Sequence, residues 1–157
     1  EENINVPDEI KNHFKYKEVK INKRLTYLDA FEYGNKFLKY ETVVLSNLDI
    51  KFNKESDLKV TKDNFIVITR TENNNYNINL SLYSQDTWIF IPPINILDSD
   101  FELGCPGCDN AITDRAYKSN YKVINQGTKF IAHHIDRVRN IVEKKKKLFK
   151  SYTSRKR

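Results

Sequence analysis

Three short runs of apolar, mostly β-branched residues constrain this chain more than any other feature: Thr42-Val43-Val44-Leu45, Phe65-Ile66-Val67-Ile68-Thr69 and Trp88-Ile89-Phe90-Ile91. None alternates with polar residues, as a strand with one face in water would, so each reads as a strand buried on both faces. Along the chain, strand-like and helix-like stretches alternate. From Thr26, which suits an N-cap, the residues Tyr27, Ala30, Phe31, Tyr33, Gly34, Phe37 and Leu38 recur at helical spacing. Asp109 to Lys118 has helical character, and a long helix rich in Lys and Arg is predicted from Asp136 onward. Val19-Lys20-Ile21 and Tyr121-Lys122-Val123-Ile124 read as short strands, and Phe130-Ile131-Ala132 is strand-like. This alternation predicts an α/β fold: a mixed, mainly parallel sheet flanked by helices in a Rossmann-like layered arrangement, with a basic C-terminal helix. At 157 residues the chain suits one core, taken as a single domain over 1–140 with 141–157 as a basic helix or tail.

Charge narrows the partners. The net charge of +6 comes from the tail, where Lys144, Lys145, Lys146, Lys147, Lys150, Arg155, Lys156 and Arg157 crowd together, leaving the body nearly neutral. A solvated helix end is the plainest reading of that run; contact with an anionic surface is the alternative, and nucleic acid is disfavoured as a partner. No apolar run approaches the roughly 20 residues of a membrane-spanning helix. The start, Glu1-Glu2-Asn3, is acidic where a signal peptide needs positive charge, so a cytoplasmic location is expected. Two cysteines three positions apart make a poor disulfide framework and read as free thiols.

Ligands in open α/β sheets gather beyond the carboxyl ends of strands, which directs attention to Asp49, Arg70 and the loop near Asp86. Asn47-Leu48-Asp49 follows the first apolar run directly and sets an amide and a carboxylate two residues apart on an extended backbone. Such a pair can hold Mg²⁺ or Mn²⁺ against a diphosphate, although Asn-x-Asp at a strand end is more often a simple turn. Ser84-Gln85-Asp86-Thr87 places four hydrogen-bonding residues immediately before Trp88, which suits either a ligand or a capped loop. Leu103 to Asn110 holds two of the four glycines, Gly104 and Gly107, permitting close backbone approach to a bound group, with Asp109 either an N-cap or a site residue. Cys105-x-x-Cys108 with His133 and His134 downstream has the spacing of half a zinc site, but there is one such pair only, and adjacent histidines point apart.

Taken in order, Arg24-Leu25-Thr26-Tyr27, Leu45-Ser46-Asn47-Leu48-Asp49-Ile50, Ile68-Thr69-Arg70, Ser84-Gln85-Asp86-Thr87-Trp88-Ile89-Phe90, Gly104-Cys105-Pro106-Gly107-Cys108-Asp109-Asn110 and His133-His134 resemble the GT-A-type glycosyltransferases and their uncharacterised relatives in bacteria and large viruses. These stretches cover most of positions 24 to 134. The resemblance implies a GT-A-like sheet and transfer of a sugar from a nucleotide-diphosphate donor to a hydroxyl acceptor. Asn47-Leu48-Asp49 then stands where the family carries Asp-x-Asp, and Ser46, Arg70 and His133 join it as donor and phosphate contacts. Asp49 and His134 are the implied ligands of a divalent cation, Mn²⁺ or Mg²⁺, with His133 or His134 in the place of the family's late metal or phosphate ligand. Asp109 matches the base that deprotonates the acceptor, Asp86 is a second catalytic candidate, and Gln85, Trp88, Gly104, Gly107 and Asn110 fall on the acceptor side.

The Asn at position 47 departs from the family pattern, and residues 1–20 hold no counterpart of its first nucleotide-binding strand. Two other classes fit parts of the sequence. Ala132-His133-His134-Ile135 with Asn140 and the upstream cysteine pair resembles an HNH nuclease, and a non-catalytic sugar- or nucleotide-binding module would suit a chain without that first strand.

Overall fold

The computed structural model describes residues 7–52, 58–72, 84–127 and 130–135. In chain order the elements are α1 (Asp8–Lys11), α2 (Tyr27–Phe37), β1 (Val43–Ser46), β2 (Ile50–Phe52), β3 (Asn64–Glu72), β4 (Gln85–Phe90), α3 (Cys108–Lys118), β5 (Lys122–Asn125) and β6 (Ala132–His134). The strands form one sheet in the order β1-β4-β3-β6-β2, with β5 also paired to β3. Pairs β1/β4, β3/β4 and β2/β6 are antiparallel, whereas β3/β5 and β3/β6 are parallel. Both parallel partners lie along successive halves of β3: β5 is opposite Asn64 to Val67 and β6 opposite Arg70 to Glu72.

This arrangement corrects the expected helix-flanked, mainly parallel layered sheet. The apolar runs predict strands enclosed between helix layers; those of β3 and β4 are enclosed, but by a different device, whereas β1 holds no fully buried residue and Val44 is exposed. In β3, Phe65 and Val67 join Trp88 and Phe90 of β4 in a core with Tyr27, Phe31, Ile112 and Ala116 of the two long helices. On alternate positions, Ile66, Ile68 and Ile89 pack instead with Ala132 of β6 and, at the margin, Ile50 of β2. The second face is therefore closed by the sheet's own far strands.

Curling is forced by chain length. Five strands side by side span about 19 Å between the first and last when flat. Only Asn47, Leu48 and Asp49 join β1 to β2, the two ends of that path. Four residue steps reach at most about 14 Å. The sheet therefore bends toward a barrel, with this link across its seam.

Other sequence expectations meet mixed outcomes. Thr26 does cap α2: its Oγ1 accepts from the Asp29 amide at 3.2 Å, and its own amide donates to Asp29 Oδ2 at 3.1 Å. Val19-Lys20-Ile21 forms no strand, and β2 has no counterpart among the strands expected from the sequence. The helix expected from Asp136 and the basic tail lie outside the described residues. Among the described residues, no helix is long and apolar enough to cross a membrane.

Replacing Thr26 with Ala removes one half of the capping box and is expected to destabilise the fold by about 1 kcal/mol, measured by urea denaturation. Asp29 adds a pH signature. The Lys23 ammonium, 2.8 Å away, and then the Thr26 hydrogen bonds hold its carboxyl below the ordinary aspartate value. A depressed folded-state pKa gives stability that is present above the unfolded pKa and lost as pH falls through the folded one. Asp29→Asn is accordingly expected to flatten the loss of stability between neutral pH and the acid limb, read as urea midpoints across that range.

Candidate functional site

The polar ends of β1 and β3 and the start of β4 come together because β4 runs against its two neighbours. Ser46 leads out of β1 into Asn47, Arg70 lies in the second half of β3, and Asp86 is the second residue of β4. The β3/β4 register steps from Ile68↔Thr87 to Thr69↔Gln85, so Asp86 is an extra residue bulged out of the ladder. A bulge turns two consecutive side chains away from strict alternation. Here it lets Asp86 face Arg70 and Asn47 while Gln85 reaches α3.

Both Asp86 carboxylate oxygens are engaged: Oδ1 accepts from Asn47 Nδ2 at 2.8 Å and Oδ2 from Arg70 Nη1 at 2.9 Å. The two side chains of this ion pair are only 12% and 17% exposed, so it holds its geometry with little competition from water. Its carbonyl also accepts from the Asn47 amide at 3.1 Å and from Ser46 Oγ at 3.2 Å. Asp86 thus ties the end of β1 to the middle of β3 and organises two donors there.

Asp49 and His134 form the seam. The Ile135 amide donates to the Asp49 carbonyl at 2.7 Å, which extends the β2/β6 pairing in which Ile50 faces His134. That register brings His134 Nε2 to 2.9 Å from Asp49 Oδ2. His133, one residue earlier, points to the opposite face, where its Nδ1 lies 2.8 Å from Thr71 Oγ1.

The opposite wall is the loop from Leu103 to Asn110. It is pinned to the start of α2, where the Leu103 amide donates to the Leu25 carbonyl and the Tyr27 amide to the Phe101 carbonyl. Gly104 and Gly107 both have positive φ, 72° and 82°, a backbone region that residues with a Cβ adopt at a cost. Gly107 is the N-cap of α3, placing Asp109 in the first turn, where the helix dipole favours a negative charge. Asp109 Oδ2 accepts from the Gln85 amide at 3.2 Å, and its other oxygen takes no hydrogen bond among the described residues. Thr113 Oγ1, one turn further on, lies 2.8 Å from both Gln85 Oε1 and the Asp109 carbonyl, and its single proton is given to one of them.

These walls enclose a cleft of about 790 Å³. Of the residues singled out in the sequence, Ser46, Asn47, Asp49, Arg70, Asp86, Gly104, Gly107, Asp109, Asn110 and His134 line it. Three others stay outside it. Trp88 is fully buried two residues along from Asp86, edge-on to Tyr27 with ring centres 5.0 Å apart, because α2 covers that part of β4. Gln85 is buried under α3, and His133 is turned to Thr71. Arg24 and Leu48 also line the cleft; each falls within a stretch that carries the resemblance, without a site role assigned to it there. Thr113 also escapes the sequence reading, although its position one helical turn after Asp109 is a usable signal.

Among the described residues, no three His, Cys, Asp or Glu side chains gather as a metal-binding group. The thiols have partners other than the histidines: Cys105 Sγ lies 3.5 Å from Glu102 Oε2, and Cys108 Sγ 3.5 Å from the Tyr27 hydroxyl. Both thiols are free. Asp49 and His134 fit a cation of the Mg²⁺ or Mn²⁺ type in one way, as a two-donor set completed by water and a ligand's phosphate oxygens. No family model, no curated protein and no solved structure matches this chain.

Removing the Asp86 side chain leaves Arg70 in a poorly hydrated place without this carboxylate. Asp86→Ala is expected to cost about 3 kcal/mol in urea unfolding, well beyond a surface substitution.

Proposed function

We propose that the cleft binds a nucleotide-diphosphate-linked sugar and transfers the sugar to a hydroxyl acceptor. One observation carries this reading: a carboxylate with an unengaged oxygen, Asp109, shares a single cleft with a phosphate-compatible set made of Asn47, Asp49, Arg70 and His134. The volume falls within the range of about 300–1,000 Å³ common to small-molecule sites. The reading rests on these side chains and not on the sheet, whose strand directions differ from those the sequence suggested.

In the proposed reaction Asp109 takes the proton from the acceptor hydroxyl as that oxygen bonds to the anomeric carbon. The bond from that carbon to the diphosphate oxygen breaks, and its electron pair leaves with the diphosphate. Arg70, held by Asp86, and the Asn47 amide donate to the oxygens on which that charge gathers. Asp49 and His134 would hold a divalent cation, which supplies further neutralisation of the diphosphate when bound.

The test is a melting-temperature screen of the protein with Mn²⁺ and UDP-, GDP-, CDP- and dTDP-sugars. A ligand at a hundred times its Kd adds about 2.7 kcal/mol, roughly 5–10 °C for a domain of this size. Asp49→Ala is expected to abolish the metal-linked shift, whereas Asp109→Asn keeps the shift and stops transfer. Equal loss of binding in both variants contradicts the roles assigned. Silence across the panel together with cleavage of plasmid DNA reassigns the cleft to a nuclease.

A further inference from the structure

Beside the cleft, a further depression borders β1. It has a volume of about 570 Å³ and is lined by Val19, Ile21, Leu25, Val43, Val44 and Leu45, with α2 as its floor. Leu25 lines both. Strand β1 also passes from one to the other: Val43, Val44 and Leu45 border the apolar groove, and the next two residues, Ser46 and Asn47, border the polar cleft. Val19 and Val44 are about half exposed, at 51% and 47%, so aliphatic surface stands open to solvent directly beside the reacting cleft.

Charged residues of both signs also border the groove, Asp29 and Glu32 beside two lysines. Lys17 and Lys36 both border it, and both ammonium groups sit over the Phe37 ring, at 5.1 Å and 5.0 Å from its centre. Phe37 is itself half exposed, and Tyr40 nearby in sequence carries Lys62 over its ring at 4.5 Å. Aromatic rings mixed with lysines are the composition that settles at the headgroup level of a lipid surface.

From the adjacency of these two depressions we infer that the acceptor is amphipathic: its hydroxyl-bearing head enters the cleft and an acyl or prenyl chain lies along the groove beside β1. The inference rests on the reading of the cleft as the transfer site. A polar acceptor of similar head group would gain nothing from Val19, Val43 and Val44, whereas an aliphatic chain covers them and removes that surface from water. The lysines over Phe37 then stand where the chain leaves the protein for a lipid surface.

The test uses methyl, hexyl and decyl β-D-glucoside, each below its micellar concentration, titrated into the whole ¹⁵N-labelled chain and followed by amide chemical shifts. Affinity is expected to rise roughly two- to fourfold per added methylene, with the largest shifts at Val43, Val44 and Leu45. Val19→Asp and Val44→Asp, at half-exposed positions, are expected to keep the melting temperature and weaken decyl glucoside binding about tenfold. Affinity that ignores chain length, shifts centred away from β1, or unchanged binding in both variants overturns the inference. A dimer in sedimentation that Val44→Asp abolishes also overturns it, by giving the groove to a second copy of the chain. Donor binding is read separately from the nucleotide-sugar melting shifts. The chain-length series without a donor shift supports the groove and sinks the transfer reading; a donor shift without the series sinks the groove alone.

Discussion

Three residues have to carry the backbone from one margin of the sheet to the other. That constraint, Asn47 to Asp49 between β1 and β2, decides much of the architecture of this molecule. A longer connection would let the sheet lie flat, with Ile66, Ile68 and Ile89 facing water or requiring another layer of helices. The short link instead draws β2 and β6 over that face, so these isoleucines pack with Ala132 and Ile50. It also fixes where polar groups collect, since residues that span a seam cannot pair as a regular strand and are left to bind something else.

Strand polarity and the bulge then supply the rest of the cleft. Two strands deliver their carboxyl ends and an antiparallel neighbour delivers its beginning, which is why residues as distant in sequence as Asn47, Arg70 and Asp86 form one hydrogen-bonded group. Next to the bulge at Asp86, Gln85 pairs with Thr69 while its amide donates to Asp109. One irregularity in β4 therefore orients carboxylates on both walls, one directly and one through a backbone N–H. The two carboxylates differ in their partners: both oxygens of Asp86 take side-chain donors, whereas one oxygen of Asp109 takes the Gln85 amide.

Much of this is legible in the sequence because local signals and tertiary outcome agree. The capping residue and spacing of α2, the three apolar runs, and polar clusters at their ends all have a purely local cause, and they place ten of the residues singled out along one cleft. Strand direction has no such cause. A run like Phe65 to Ile68 looks the same whether its second face meets a helix or the far side of a curled sheet, so the expected parallel layers reflect burial and not pairing. Trp88 and His133 depart from expectation for a related reason. Proximity in sequence to site residues does not make their side chains share the same surroundings: helix coverage buries Trp88, and alternation along β6 turns His133 to Thr71. Strand β2, three residues long and joined closely to β1, leaves almost no periodicity to read.

The two parallel pairings of β3 set the phase of β5 and β6. Strand β6 takes its register from Arg70, Thr71 and Glu72, after Gly127 has been pressed against Thr69, where a Cβ would meet the Thr69 amide nitrogen at 3.3 Å. A slip of one residue along that edge would reverse which faces the side chains of β6 present. For most sequences such a slip would strip the seam of its imidazole. Here the neighbouring position holds the same side chain, so a slip that moves His133 into the place of His134 keeps an imidazole beside Asp49, whereas the opposite slip puts Ile135 there and strips the seam of it.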